Sequence, residues 1–401
     1  MRHVVLGKGM FGAATARHLA ASGDDVALVG PDEPADHASH RGVFGAHYDE
    51  GRIVSQLVAD PLWIELVRAS LAGMEELDPG LVHRCGVVTA MRPPAAAELL
   101  MTAELVGEWL GVPMDALDPE ARVRELPALR FDDEEAVVLE REGGHFSPRR
   151  YVRAAVDRAR ALGAEVVCRE ARRLRRTPSG VEVELEGGGT VAGDAAVVAA
   201  GAFTPALLPV APALRVKSET FLMGEAGDAP DLPCVGRDLA SDALGELYVL
   251  PPIPYPDGRR YVKVGANTLH DAWLDGRDEV AAWYRDGDGD RDLAALRGEA
   301  ERLLAGVPIS GWHTRRCAEA YTAHGRPYVD VLEPGRLVVA TGGNGRSAQV
   351  ADAIGGLAAE LARHGDWSSP FPRDALRFVA AGEPWDGTEL LRDRRAALAR
   401  A

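Results

Sequence analysis

Residues 7–12, "GKGMFG", restrict the possible folds of this chain more than any other stretch. They follow the apolar run "HVVLG" and open "AATARHLAASG", which has helical spacing and a glycine stop; "DDVALVG" then completes a βαβ unit. Gly7, Gly9 and Gly12 stand in the GxGxxG spacing between a strand and a helix, the context a dinucleotide turn needs. The first glycine permits the tight turn. The second lets backbone approach a pyrophosphate, and the third lets helix and strand pack closely. The helix N-terminus then offers free N–H groups to phosphate. The motif alone does not separate NAD from FAD. A ribose-binding acid is expected at the end of the second strand, but Gly30 stands there, and Asp32 is the candidate substitute.

A second strand–glycine–helix unit lies near the other end, in "RLVVATGGNGRSAQVADAIGGLAAELARHG" (336–365). Between the two, "SPRRYVRAAVDRARALG" (147–163) starts as helices do, "GVEVELEGGGTVAG" reads as a hairpin, and "DAAVVAAGAF" is a buried strand ending at Gly201. The block 213–330 is rich in alternating strands. Helical spacing is also found over about 61–78, 95–110 and 291–305, and from about 374 onward. The fold class expected is α/β plus α+β: a discontinuous Rossmann-like nucleotide domain with an inserted β-rich domain.

The formal charge is −16 over 401 residues, with no long basic run, which argues against nucleic acid or anionic membrane as partners. The arginines of "RRLRR" (172–176) are expected to form a solvated surface, and "DGDGDRD" (286–292) fails the EF-hand pattern and reads as an acidic loop. Cys85, Cys168, Cys234 and Cys317 form no CxxC pair, so no zinc framework or disulfide set is expected, and no metal ligand set is assigned. With no secretory signal at the N-terminus and no apolar stretch long enough to span a bilayer, a reducing cytoplasm is the expected location.

One strand puts a lysine in an unusual setting. In "YVKVGAN" (261–267), Val262, Val264 and Ala266 share one face; Tyr261, Lys263, Gly265 and Asn267 share the other. From the strand alone, that second face is free to point at water.

Taken in order, these segments and the histidine-bearing loop "ASHRGVFGAHYDEGRI" resemble the FAD-dependent D-amino-acid oxidase superfamily, most nearly its sarcosine oxidase branch. The resemblance spans roughly residues 3–365. It implies FAD, held by residues 1–84, 145–215 and 325–380; a substrate domain of 85–144 and 216–324; and a helical tail over 381–401. Lys263 matches a lysine that stands beside the flavin and promotes reaction with oxygen, a fixed cation where negative charge develops. Asn267 replaces a histidine at the substrate. Tyr248 and Tyr321 resemble active-site tyrosines, and Arg52 an arginine laid against the flavin. Gly201 and His40 are candidate flavin-side contacts, and Gly342, Gly343 and Gly345 match a loop whose backbone approaches the flavin ring. Ser55 and Gln349 stand where the branch has cations for the substrate carboxylate; Arg346 is the candidate replacement. Glu319 occupies the place of the cysteine that carries the covalent flavin, and Cys317 is displaced from it, so non-covalent FAD is expected.

The implied reaction is oxidation of a C–N bond in an amine or amino acid by hydride transfer to flavin, with oxygen as acceptor and hydrogen peroxide as product. The neutral Ser55 and Gln349 point away from a small N-methyl amino acid held by its carboxylate. A dehydrogenase with another acceptor and a flavoprotein without turnover are the alternatives. The late glycine loop and the β-rich insert speak against a nicotinamide enzyme.

Overall fold

The computed structural model describes residues 1–239, 244–268, 270–287 and 292–383. The expected helix–strand order is present, and mixed α/β is the class. The first unit is β1 (Arg2–Leu6), α1 (Met10–Ala21) and β2 (Asp25–Val29), the two strands paired in parallel. A six-stranded sheet is built around them in the order Tyr328–Glu333, Leu337–Thr341, Ala195–Val198, β1, β2, Glu165–Val167. All of its pairings are parallel except that of Tyr328–Glu333 with Leu337–Thr341. This one sheet therefore draws strands from both ends of the chain and from its middle. Its four central strands are buried on both faces, which is why they read as largely apolar runs rather than as alternating ones.

Three helices cover one face. Gly355, in the helix Ala351–His364, lies so near α1 that a Cβ there would stand 2.2 Å from Cβ of Ala14. Asp352, buried in the same helix, accepts from Arg17 (2.7 Å) and from the hydroxyl of Tyr151 (2.8 Å), so a single carboxylate ties the C-terminal helix to α1 and to the helix Pro148–Ala161. Ser147 caps that last helix through Arg150 N–H, as its sequence suggests. The hairpin Gly180–Leu185 and Thr190–Gly193, with Ala171–Thr177 beside it, covers the other face. Arg172, Arg175 and Arg176 of the basic cluster are spent on Glu186, Glu182 and Glu333.

The second large sheet has nine strands among the described residues. Its order is Trp273–Leu274, Leu214–Glu225, Arg260–Thr268, Leu244–Pro254, Cys234–Asp238, Val87–Met91, Ala136–Glu140 and Met114–Ala116, with Gly311–Thr322 also paired to Leu214–Glu225. Val262, Val264 and Ala266 pack into the core between this sheet and the helix Leu293–Leu303. Lys263 is therefore forced to the opposite face, as strand alternation requires.

A further small sheet joins β3 (Arg52–Val54), Gly144–Phe146 and β4 (Val82–His83). After the short turn Arg373–Leu376, the chain bridges from Ala380 to Pro212. The helical tail expected over 381–401 falls, from residue 384 on, outside the described residues, as do residues 288–291 of the acidic loop. No helix among the described residues is long and apolar enough to cross a membrane.

Candidate active site

A cavity of about 880 Å³ reaches from the first glycine turn to the inner face of the nine-stranded sheet, toward the upper end of the roughly 300–1,000 Å³ usual for ligand pockets. At one end stands the N-terminus of α1. Gly9 is its N-cap, and no side chain bonds the free N–H groups there. A Cβ on Gly12 would stand 1.7 Å from the carbonyl oxygen of Gly7, whose own φ is +109°. The turn is thus closed against any side chain at position 12. Gly9 differs: a Cβ there would meet only His47 Nδ1, at 3.9 Å, so the space in front of it is open. An uncapped helix N-terminus facing open space beside two glycines fits a pyrophosphate.

The far end of β2 departs from the usual ribose site. A Cβ at Gly30 would stand 2.5 Å from the backbone nitrogen of Lys8, which explains why no acid occupies the position. Asp32 does not line the cavity; its carboxylate is paired with Lys8 and is largely exposed. His40 does not line it either, and bonds the Val43 carbonyl at 3.0 Å. His47 does, and burial lowers its imidazole to about 4, so the ring is neutral.

The other predicted residues converge on the same cavity: Gly7, Gly9, Arg52, Ser55, Gly201, Tyr248, Lys263, Asn267, Tyr321, Gly342, Gly343, Gly345, Arg346 and Gln349 all line it. Lys263 is almost wholly buried and donates to Asp49 Oδ2 at 2.7 Å. The same carboxylate pairs with Arg52 and accepts from the hydroxyl of Tyr255 at 2.7 Å. Burial by itself would raise the Asp49 carboxyl, but the charges of Lys263 and Arg52 outweigh it and hold the group well below the usual range. Two cations thus share one anion and leave a net positive charge. Gly265 does not leave free room: a Cβ there would stand 2.4 Å from the Tyr248 hydroxyl, so the glycine admits the Tyr248 ring, which lies 5.3 Å from Lys263 Nζ.

A set of acids that the sequence reading did not assign to catalysis completes this wall. Glu219 and Glu319 both line the cavity; Tyr248 donates to Glu219 and Tyr321 to Glu319, each at 2.8 Å. Burial, and then the charge of Glu319, push the Glu219 carboxyl up to about 7. Lys217 reaches Asn267 Oδ1 (2.5 Å), Asp271 (3.0 Å) and Glu319 (3.2 Å). With its oxygen engaged by Lys217, Asn267 has its amide N–H donors to offer a ligand.

Ser55 and Gln349 are joined through the Ser55 backbone: Ser55 N–H donates to Gln349 Oε1 at 2.9 Å, and Ser55 Oγ donates to Glu140 at 2.6 Å. Burial raises the Glu140 carboxyl. Arg346 lies 5.8 Å over the ring of Trp63. Cys317 lines the cavity as a buried thiol raised by burial to about 11, a poor nucleophile near neutrality.

Residues 2–361 match the model of the DAO family, described as FAD dependent oxidoreductase. The chain belongs to that family and is an FAD-dependent oxidoreductase. Among solved structures it is similar to NikD, an unusual amino acid oxidase essential for nikkomycin biosynthesis. The two share 18% identity over 96% of this chain and 98% of that one, with a TM-score of 0.77. Iminodiacetate oxidase from Chelativorans sp. shares 20% identity over 94% and 99%, TM-score 0.72. L-Proline dehydrogenase from P. horikoshii shares 15% over 92% and 95%, TM-score 0.71. At these identities the likeness is one of fold. Comparison with curated proteins gave no match.

Proposed function

We propose that this enzyme oxidises the C–N bond of a small amine or amino acid. The observation that carries the reading is one cavity joining a pyrophosphate cradle to a wall that holds a fixed cation, Lys263, beside the buried carboxylates Glu219 and Glu319. FAD, when bound, supplies the acceptor for a hydride from the carbon next to nitrogen. Gly9, the N-terminus of α1 and the loop Gly342–Gly345 would hold it, without a covalent link to Cys317. The carboxylates attract an ammonium group. Glu219, titrating near neutrality, takes the proton that must leave nitrogen before the hydride does. Tyr248 keeps the carboxylate in place. Lys263 serves the return of electrons to oxygen, the acceptor we assign.

The Ser55 hydroxyl is engaged by Glu140, and Gln349, which accepts the Ser55 N–H, is neutral, so neither supplies a cation for a substrate carboxylate in the manner of sarcosine oxidases. We assign that role to Arg346, for a larger substrate whose acid group lies farther from the reacting carbon. The purified protein is expected to be yellow and to bleach anaerobically with such an amine, while sarcosine leaves its absorbance unchanged. A colourless protein with affinity for nicotinamide dinucleotides would overturn the reading, and rapid bleaching by sarcosine would overturn its substrate half.

The Glu219 carboxyl also predicts a pH dependence. Its ordinary value is near 4.5 and its folded value near 7. Flavin reduction by the amine should therefore rise as pH passes upward through about 7, where the carboxylate becomes able to accept a proton. The sign for stability is opposite: the contribution of this group is complete below about 4.5 and is lost as pH climbs through 7. Glu219→Gln keeps an acceptor for Tyr248. It should abolish the inflection in the anaerobic reduction rate and flatten the decline of stability between those values. Retention of the inflection in that variant would remove Glu219 from proton transfer.

A further inference from the structure

A cluster away from the cavity wall draws its members from two of the small sheet's strands and the loop after β4. His83 on β4 stands directly opposite His145 on the strand Gly144–Phe146, with ring centroids 5.1 Å apart. Two residues after His83, Cys85 turns back so that its N–H bonds the His83 carbonyl at 3.1 Å. One ligating atom from each of His83, Cys85 and His145 lies within 4.8 Å of the other two. Nδ1 of His145 is buried and has no hydrogen-bond partner, a costly state for an imidazole nitrogen. Behind Cys85, the fully buried Cys234 places its thiol within hydrogen-bonding reach of Cys85 and of the Gly144 carbonyl.

We infer that His83, Cys85 and His145 form a binding site for a borderline-soft divalent cation of the zinc type. Two imidazoles and one thiolate suit that class, whereas calcium or magnesium would need oxygen ligands. At bond lengths of about 2.0–2.3 Å, tetrahedral ligands stand roughly 3.3–3.8 Å apart, so side-chain rotation closes the observed spacing. His83 is exposed while Cys85 and His145 are half-buried, which leaves the fourth position to water. Cys234 plays the outer part: a neighbouring thiol that steadies the Cys85 sulfur without binding the ion.

The ion would pin β4 to Gly144–Phe146, whose other edge carries β3. Ile53 of β3 is the partner of His145, and Arg52 beside it reaches the cavity. The site thus braces the small sheet that delivers Arg52, without contributing to the chemistry.

The test uses the flavin-bearing protein, reduced and stripped with a chelator, then titrated calorimetrically with Zn(II). One saturable equivalent is expected, with protection of Cys85 from alkylation mapped by peptide mass spectrometry. Cys85→Ser and His145→Ala should each weaken binding by about tenfold or more, and His364→Gln, an exposed histidine at the end of the helix Ala351–His364, should not. No saturable uptake, or uptake that both variants retain, overturns the site. So does recovery of Cys85 and Cys234 as a disulfide whose reduction restores no zinc binding.

Discussion

Lys263→Met is expected to slow reoxidation of the reduced flavin by oxygen by on the order of 10²–10³-fold, the loss typical of removing one preorganised charge partner, while leaving reduction by the amine within a few-fold. The cation is worth this much because it does not have to be organised during the reaction. Its ammonium is buried, held at 2.7 Å by Asp49 and flanked by the rings of Phe221 (4.3 Å) and Tyr248. The variant should fold, because Asp49 keeps two partners, Arg52 and the Tyr255 hydroxyl, and is not left as an orphaned buried charge. Anaerobic reduction in a stopped-flow instrument, followed by mixing with aerated buffer, separates the two half-reactions. Equal reoxidation rates in the variant and the parent would remove Lys263 from the oxygen step and favour a dehydrogenase with another acceptor.

Gly9→Val should give a folded but colourless protein. Within the protein, a Cβ at this position makes only an ordinary contact with His47, and the backbone (φ −84°, ψ −170°) is open to any residue. Stability should therefore fall by no more than about 1 kcal/mol, the cost of a poorer N-cap rather than of a clash. The added methyls instead fill the space before the helix N-terminus, where the pyrophosphate belongs, and FAD affinity should fall by on the order of 10²-fold or more, about 2.7 kcal/mol. Gly12→Ala is the contrast. Its Cβ meets the Gly7 carbonyl within the turn itself, so the loss there is of fold as well as of cofactor. Urea denaturation and a flavin titration measured on both variants distinguish the two effects. A Gly9→Val protein that stays yellow would refute the cradle.

Much of the architecture was readable because it follows from local rules. The glycine spacing at 7–12, the apolar runs of the parallel sheet and the alternation in "YVKVGAN" each state a requirement that one segment can express alone. The reading of Asp32 rested on distance along the chain, and the structure turns that carboxylate to Lys8 instead, because the packing of Gly30 against Lys8 occupies the usual place. His40 and His47 are indistinguishable by spacing; only the path of the loop sets the second at the cavity and the first beside Phe44. Glu219 and Lys217 lie in "VKSET", where either reads as an ordinary strand charge. Both are buried where Gly311–Thr322 pairs along one side of them, with Trp273 opposite Lys217 on the other.

What the sequence determined by itself, then, is the nucleotide turn, the class of fold and the side of its strand on which Lys263 must lie, because each follows from backbone sterics or from the period of a strand. What only the tertiary structure decided is which polar groups meet. Asp49 joins Lys263 across 214 residues, Gln349 joins Ser55 across 294, and His145 joins His83 from a separate strand. Such pairings depend on the register of several sheets at once, and sheet register is set by the whole core rather than by the residues that it brings together.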